Sequence, residues 1–364
     1  MKRRDWLVLM MVLLGTLPVG AVSLCDYRSP ETSLTELSML MSYRYFDDGA
    51  TPAVDVNSGR VEVNFSRLFD SPAFGCSLSG LMKLSLSDYV PSDLLAQGAG
   101  AARYYPDGTS PWYAFAGAEG STSLTAMGLE VRGGIGHGRF TDVTPMAKAI
   151  LIGEELLALG VLDSKPSEEM LTSIAEAIGR RIEYAELRDL VADIEAAIET
   201  PTGADLGAEA LLRIEEIVER SGDTRKCGWT VQGGVGYELI DPAGGECNLL
   251  IAFSTDAAWS TGPRDQLVMH AGASGPFRLI EENTLNMNAQ YELDVSEDVE
   301  ISVSCALRRN DPREGPVTSD WSLSAGMTYD LGGADLAVQV SLNREAADPR
   351  STVELSLSAS VDLL

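Results

Sequence analysis

The chain has 364 residues, 45% hydrophobic and 22% charged, with 54 acidic against 27 basic side chains and a formal net charge of -27. That charge repels nucleic acid and anionic lipid headgroups, which excludes both as electrostatic partners. Beyond the N-terminal segment no apolar run reaches the length of about eighteen residues that a transmembrane helix needs, so only strands could carry this chain across a bilayer.

In chain order, Lys2, Arg3 and Arg4 precede an apolar run over 6–17, then Pro18 and the small-residue site Ala21-Val22-Ser23. This is the pattern of a secretory signal peptide over residues 1–23, whose removal takes three basic residues and one acidic one and leaves a mature charge of about -29. Cys25 offers a second reading as a lipidated N-terminus, although Leu24 before it is bulky where a small residue is expected.

From there the sequence alternates with period two. Strands are expected over 37–45, 61–65, 74–86, 227–239, 247–259, 284–295, 299–307, 321–329, 336–342 and 353–363, with weaker ones over 101–105, 112–117, 125–135 and 267–273. The count is fourteen, with twelve or sixteen as the nearest alternatives. In 284–295 the even positions are Asn286, Asn288, Gln290, Glu292 and Asp294, and the odd ones are Leu285, Met287, Ala289, Tyr291, Leu293 and Val295. Several strands run ten residues or more, close to the nine to eleven or so that cross a bilayer when tilted. The links between the last five alternate short and long, and residues 47–58 and 88–98 read as further long loops on the outer side. Trp229, Trp259 and Tyr329 fall at one end of their strands and Tyr43, Tyr45 and Trp321 at the other, as two aromatic girdles would.

Between 143 and 221 the period turns helical. Thr144-Pro145 reads as an N-cap with proline at the first position, Gly160 as a stop, and a second helix begins near Pro166. Tyr184, Leu187, Val191, Ile194 and Ile198 form one apolar stripe, and Leu211, Ile214, Ile217 and Val218 another. The segment 143–226 is expected to be a compact bundle of three or four helices in which acidic side chains outnumber basic ones eighteen to nine.

Two glycine-rich stretches flank this insert, "VRGGIGHGRF" (131–140) and "VQGGVGYEL" (231–239). Neither completes a dinucleotide fingerprint, because Arg139 stands where the third glycine belongs, and no Lys-Ser or Lys-Thr follows to make a phosphate loop. Their expected role is geometric: close approach and bending of two paired strands where the insert leaves the wall. The five cysteines (25, 76, 227, 247, 305) form no CxxC pair, are expected mostly as small apolar strand residues, and leave at least one free or paired between chains. His137 and His270 are the only histidines, and only His270 with Ser274 nearby could begin a hydrolytic site. No catalytic site, cofactor or metal is expected.

Together, the signal peptide, the long alternating strands, the turn lengths, the aromatic girdles and the final strand "TVELSLSASVDLL" resemble a porin-like outer-membrane β-barrel. The chain departs from that pattern in ending on Leu363-Leu364 rather than an aromatic residue. The resemblance implies a mainly β, transmembrane antiparallel up-and-down barrel in the outer-membrane lipid of a Gram-negative-type bacterium. Residues 24–142 would supply strands 1–6, 143–226 a periplasmic helical insert that could meet a periplasmic protein partner, and 227–364 strands 7–14. A passive diffusion channel for small hydrophilic solutes is the first reading. A structural or docking barrel acting through the insert, and a soluble exported β-protein, are the alternatives. As a channel, Ser302, Ser304, Ser322, Ser324, Ser356 and Ser358 would line the pore. Glu292, Asp294, Glu300, Asp330, Asp335 and Asp362 would gather at the periplasmic mouth, with Arg308 and Arg309 at the outer end, giving a weak preference for cations. The plainer reading of those carboxylates is as solvated turn residues.

Overall fold

The computed structural model describes residues 24–28, 31–46, 56–108, 110–220, 224–240, 248–277, 282–296, 298–312, 315–331, 335–344 and 351–362. The expected signal peptide, Cys247 and the final two leucines lie outside the described residues.

Among them are fourteen strands: β1 (Thr32–Phe46), β2 (Val56–Asp70), β3 (Phe74–Ser87), β4 (Val90–Tyr104), β5 (Trp112–Ser123), β6 (Met127–Asp142), β7 (Lys226–Ile240), β8 (Leu249–Trp259), β9 (Asp265–Pro276), β10 (Asn283–Ser296), β11 (Val299–Asp311), β12 (Thr318–Asp330), β13 (Asp335–Arg344) and β14 (Thr352–Asp362). Each pairs antiparallel with its sequence neighbours, and β14 returns to β1 through Ser38↔Asp362 and Met41↔Ala359, so the sheet closes. Closure leaves no exposed edge strand.

One expectation is corrected. Residues 88–98 are not a long loop: a two-residue turn, Asp88 and Tyr89 (φ 52° and 64°), leads at once into β4. Two consecutive positive φ values are the signature of a type I′ hairpin turn, which matches the twist of its flanking strands. Here Asp88 and a tyrosine fill it where Asn and Gly are usual, and Tyr89 is held by stacking on Tyr43 of β1, across β2 (5.8 Å between ring centroids).

Four helices lie between β6 and β7: α1 (Thr144–Ala158), α2 (Glu168–Gly179), α3 (Leu187–Thr202) and α4 (Ala208–Glu219). Ser167 caps α2 by accepting from the Met170 amide at 3.2 Å, and Gly160 and Gly203, both at positive φ, stop α1 and α3. Thr144 is not the N-cap. It is the first helical residue, and its hydroxyl accepts the Arg225 amide (2.9 Å) while Asp142 Oδ1 accepts the Thr144 amide (2.9 Å). The entry and exit of the insert are thereby stitched together, as is also done by the bond from the Val143 amide to the Arg225 carbonyl. Ile152, Leu156, Ile174, Leu190, Ile194, Ile198, Ile214 and Val218 form the buried bundle core, at about 1.5–3 kcal/mol of apolar burial for each fully enclosed aliphatic side chain. Leu24, in a single 3-10 turn (Leu24–Asp26), completes that core from the N-terminal side.

The structure pairs two of the cysteines, a pairing that the sequence left open. Cys25 and Cys227 form a disulfide across 202 residues, so Cys25 does not carry a thioether-linked lipid in this structure. Cys76 and Cys305 are the free cysteines among the described residues.

Candidate functional site

Which strand face is the inside follows from contacts that skip a strand. Tyr113 on β5 donates its hydroxyl to Gln232 Oε1 on β7 at 3.3 Å, passing over Gly136 of the intervening β6. Tyr113 is 2% exposed, whereas Trp112 beside it is 57% exposed. Alternation and register then carry this assignment around the wall.

On the outside the side chains are apolar and uncovered. Leu355, Val353, Val340, Leu323, Val303, Phe253, Val235, Ile135, Met82 and Met41 are all exposed. Such an apolar surface, wrapping strands from every part of the ring, far exceeds the few hundred Å² that a soluble monomer shows. Leu285, Met287 and Tyr291 take this face. Aromatic rings stand at both rims: Tyr43, Tyr89 and Tyr237 at one, and Phe74, Tyr104, Trp112, Trp229, Trp259 and Tyr329 at the other. At the second rim His137 packs between Trp112 (4.8 Å) and Trp229 (5.2 Å), on the outer wall. An apolar band between two aromatic girdles on a closed wall is the exterior of an outer-membrane β-barrel.

The inside is polar and divides into two sectors. From β2 to β9 charges are paired along the wall: Arg60 (2.8 Å) and Lys83 (3.3 Å) both meet Glu62, Arg132 meets Glu119 (2.5 Å), and His270 Nδ1 meets Asp256 (2.6 Å). From β10 to β14 the middle of the wall carries hydroxyls and amides. Ser302 and Ser304 stand opposite Gly326 and Ser324, the Ser304 and Ser324 hydroxyls are 2.7 Å apart, Ser322 stands opposite Asn343, and Ser356 opposite Gln339. Ser358 is at the register position of Ala337. The six expected pore residues thus fall on β11, β12 and β14, within one run of four consecutive strands.

The expected mouth carboxylates sit at the insert end of the barrel. Asp294 and Glu300 are register partners on β10 and β11, Asp330 and Asp335 on β12 and β13, and Asp362 pairs with Ser38. Glu292 lies one rung further in, opposite Ser302, and accepts from Gln290 Nε2 (2.8 Å). Asp294 is already engaged: it forms an ion pair with Arg225, at the exit of the insert. His270 does not assemble a hydrolytic site. Ser274 is four residues along the same strand, about 13 Å away at strand rise, and the imidazole is bonded to Asp256.

The glycine-rich stretches bend β6 and β7 where the insert leaves the wall, as expected, but sequence reasoning did not find which strands this stem reaches as it leans across the opening. Gly134 and Gly234 face each other so closely that a Cβ on Gly134 would lie 2.2 Å from the Gly233 carbonyl oxygen, and Gly138 and Gly228 adopt φ of 111° and 135°. The bent stem reaches strands that are not its neighbours. Thr32 of β1 donates to the Phe140 carbonyl (3.5 Å) and accepts from the Asp142 amide (3.0 Å). Arg139 donates to the carbonyls of Ser71 (3.3 Å) and Pro72 (2.7 Å), and its guanidinium lies 3.7 Å from the centre of the Tyr105 ring. Tyr105, just past β4, donates to Asp70 (3.0 Å), and burial followed by the Asp70 charge pushes its phenol above the ordinary range. Arg103 is also buried here, 5.6 Å over the Tyr113 ring. This sector of the mouth is filled. On the β10–β14 side Asp294 and Glu300 remain half-buried and Asp330 exposed.

The helical bundle sits beyond this end and not within the lumen, since its core takes in Leu24, Val143 and Cys227 but no lumenal side chain. Glu154 on α1 reaches Arg264 in the β8–β9 turn (3.4 Å).

No protein-family model matches the chain, and no curated protein does. Among solved structures it is similar to the Acinetobacter baumannii outer membrane protein Omp33 (9% identity, TM-score 0.35, covering 92% of this chain and 100% of that one). It is also similar to the KdgM porin (7%, 0.31, 90% and 98%) and to the CymD monoaromatic hydrocarbon channel (8%, 0.30, 93% and 90%).

Proposed function

We propose that the chain is a passive diffusion channel for small hydrophilic solutes, with its helical bundle in the periplasm. The observation that carries the reading is the β10–β14 sector: inward positions filled by Ser, Asn and Gln leave space for water and offer hydrogen bonds, where a plugged barrel would need bulky or ion-paired groups. The bent stem fills the opposite part of the mouth, so solutes pass along the hydroxylated sector. Glu300, Asp330 and Asp335 at the inner end of that path favour cations. A Debye length of about 8 Å at physiological salt keeps the preference weak.

Planar-bilayer recordings test this. Discrete conductance steps with a reversal potential displaced toward the cation potential in a salt gradient are expected. Anion selectivity would overturn the charge assignment, and an electrically silent barrel would overturn the channel itself. Silence would favour a second reading, a docking barrel acting through the bundle, which is supported by the bundle's own core and its disulfide link to the N-terminal segment. Proteolysis of the insert in intact cells would place it outside the cell and overturn the proposed orientation.

A further inference from the structure

We infer that a recess on the lumenal wall between β9 and β13 is a binding subsite for a neutral polyhydroxylated solute of oligosaccharide type. The inference rests on the channel reading for its role, and on the wall's own chemistry for its ligand. The recess runs over two successive inward rungs of the sheet, and the chain at Met287, Leu307, Trp321 and Arg344, whose register faces outward, borders it between them. One rung carries Asn286, Arg308 and Asp320 on three neighbouring strands. The next carries His270, Asn288, Ala306, Ser322 and Asn343 on five. Rungs are about 7 Å apart and strands about 4.8 Å, so the patch measures roughly 7 by 19 Å, the footprint of two or three linked sugar rings.

Three properties of this patch select the ligand. A carboxamide presents both a donor and an acceptor, which is what a sugar hydroxyl requires, and three amides surround the patch. Ala306 at its centre is a methyl floor on which the C–H face of a ring can rest without steric conflict. The charges on the inward rungs cancel: Arg308 faces Asp320 on the adjacent strand, the His270 ring is bonded to Asp256, and Arg344 at the border shares the outward register of Trp321. A carboxylate drawn to Arg308 meets Asp320, and an ammonium drawn to Asp320 meets Arg308. A polyol has neither conflict. Binding has to be weak, since a site in a conducting path must release its solute to either side.

The test is a titration of single-channel KCl current with three trisaccharides: neutral maltotriose, acidic trigalacturonate and a cationic glucosamine trimer. Maltotriose is expected to reduce the current saturably, with half-saturation in the millimolar range and at lower concentration than either charged sugar. Asn288→Ala with Asn343→Ala raises that half-saturation at least tenfold, with heat-modifiable gel mobility confirming that the variant barrel is folded. A current that falls only in proportion to viscosity, a stronger response to trigalacturonate, or a double variant that titrates like the parent would each overturn the subsite. If the parent carries no current, the channel reading fails. The subsite is then decided separately by calorimetric titration of the detergent-solubilised barrel with maltotriose, where heat that saturates supports it and none overturns it.

Discussion

Replacing Arg225 with methionine removes the cation that ties the exit of the insert to β10. The Arg225 side chain is 4% exposed and pairs with Asp294, which is 22% exposed. Breaking a buried pair by deleting one partner costs about 3–5 kcal/mol, because the remaining charge is left without compensation. Two features put this pair at the lower end. Asp294 retains some access to water, and Arg225 Nε is itself buried without a hydrogen-bond partner, so the guanidinium is imperfectly satisfied even when paired. An effect of about 3 kcal/mol corresponds to a change of roughly two orders of magnitude in the equilibrium between the docked and undocked stem. The assay is limited proteolysis of the refolded barrel under conditions where opening is fast relative to cleavage, so that the cutting rate reports the open population. Arg225→Met should raise the cutting rate near residues 220–226 about a hundredfold. Adding Asp294→Leu should recover much of that, since the carboxylate that lost Arg225 is then gone. A single variant that is cut at the parent rate, or a double variant cut faster than the single, would refute the assignment of this pair as the tie.

Gly134→Val is expected to prevent the stem from bending. Its Cβ would lie 2.2 Å from the Gly233 carbonyl oxygen and 2.6 Å from Gly234 Cα, and backbone cannot yield as a side-chain tip can. Loss of the heat-modifiable gel form measures this, and a variant that folds at parental yield and stability would contradict it. Tyr27 predicts an alkaline limit. Burial, then the Asp142 and Glu176 charges, hold its phenol up to about 12, and its hydroxyl lies 3.5 Å from the Ala175 carbonyl. Since the docked form keeps the proton that the undocked form loses near pH 10, docking of residues 24–28 is complete below pH 10 and is lost as pH rises through about 12. Proteolytic accessibility of that segment should rise between pH 10 and 12 in the parent, and Tyr27→Phe should flatten that rise.

The barrel was legible in the sequence because a wall between lipid and water forces opposite chemistry onto alternate residues, as in β10, where amides and apolar side chains take turns. β4 was hardest to see for the same reason. Its stretch "AQGAGAARY" puts Ala or Gly on both faces, so the contrast that marks a strand is missing, and Asp88 and Tyr89 turn the chain without the usual glycine. The serines of β11, β12 and β14 stand out in the sequence because small hydroxyls alternating with apolar residues are visible as a pattern. The filled sector of the mouth could not. Arg103, Tyr105, Arg139 and Asp70 lie on different elements, and although the glycines mark where β6 and β7 bend, nothing local says that the bent stem will carry Arg139 onto Tyr105. The disulfide partners were equally hidden, 202 residues apart and without a spacing motif.

That disulfide has a mechanical meaning. Cys25 precedes β1 and Cys227 is the second residue of β7, and in a ring of fourteen these two strands stand six places apart, nearly opposite each other. The bond is therefore a tie rod across the inner rim. Thr32 on Phe140 and Asp142 runs in the same direction. An elastic hoop braced along one diameter can widen only along the other, and that free axis opens toward β10–β14. Thermal breathing of the rim is then concentrated in the hydroxylated sector, and reducing the bond should release the hoop to a rounder outline.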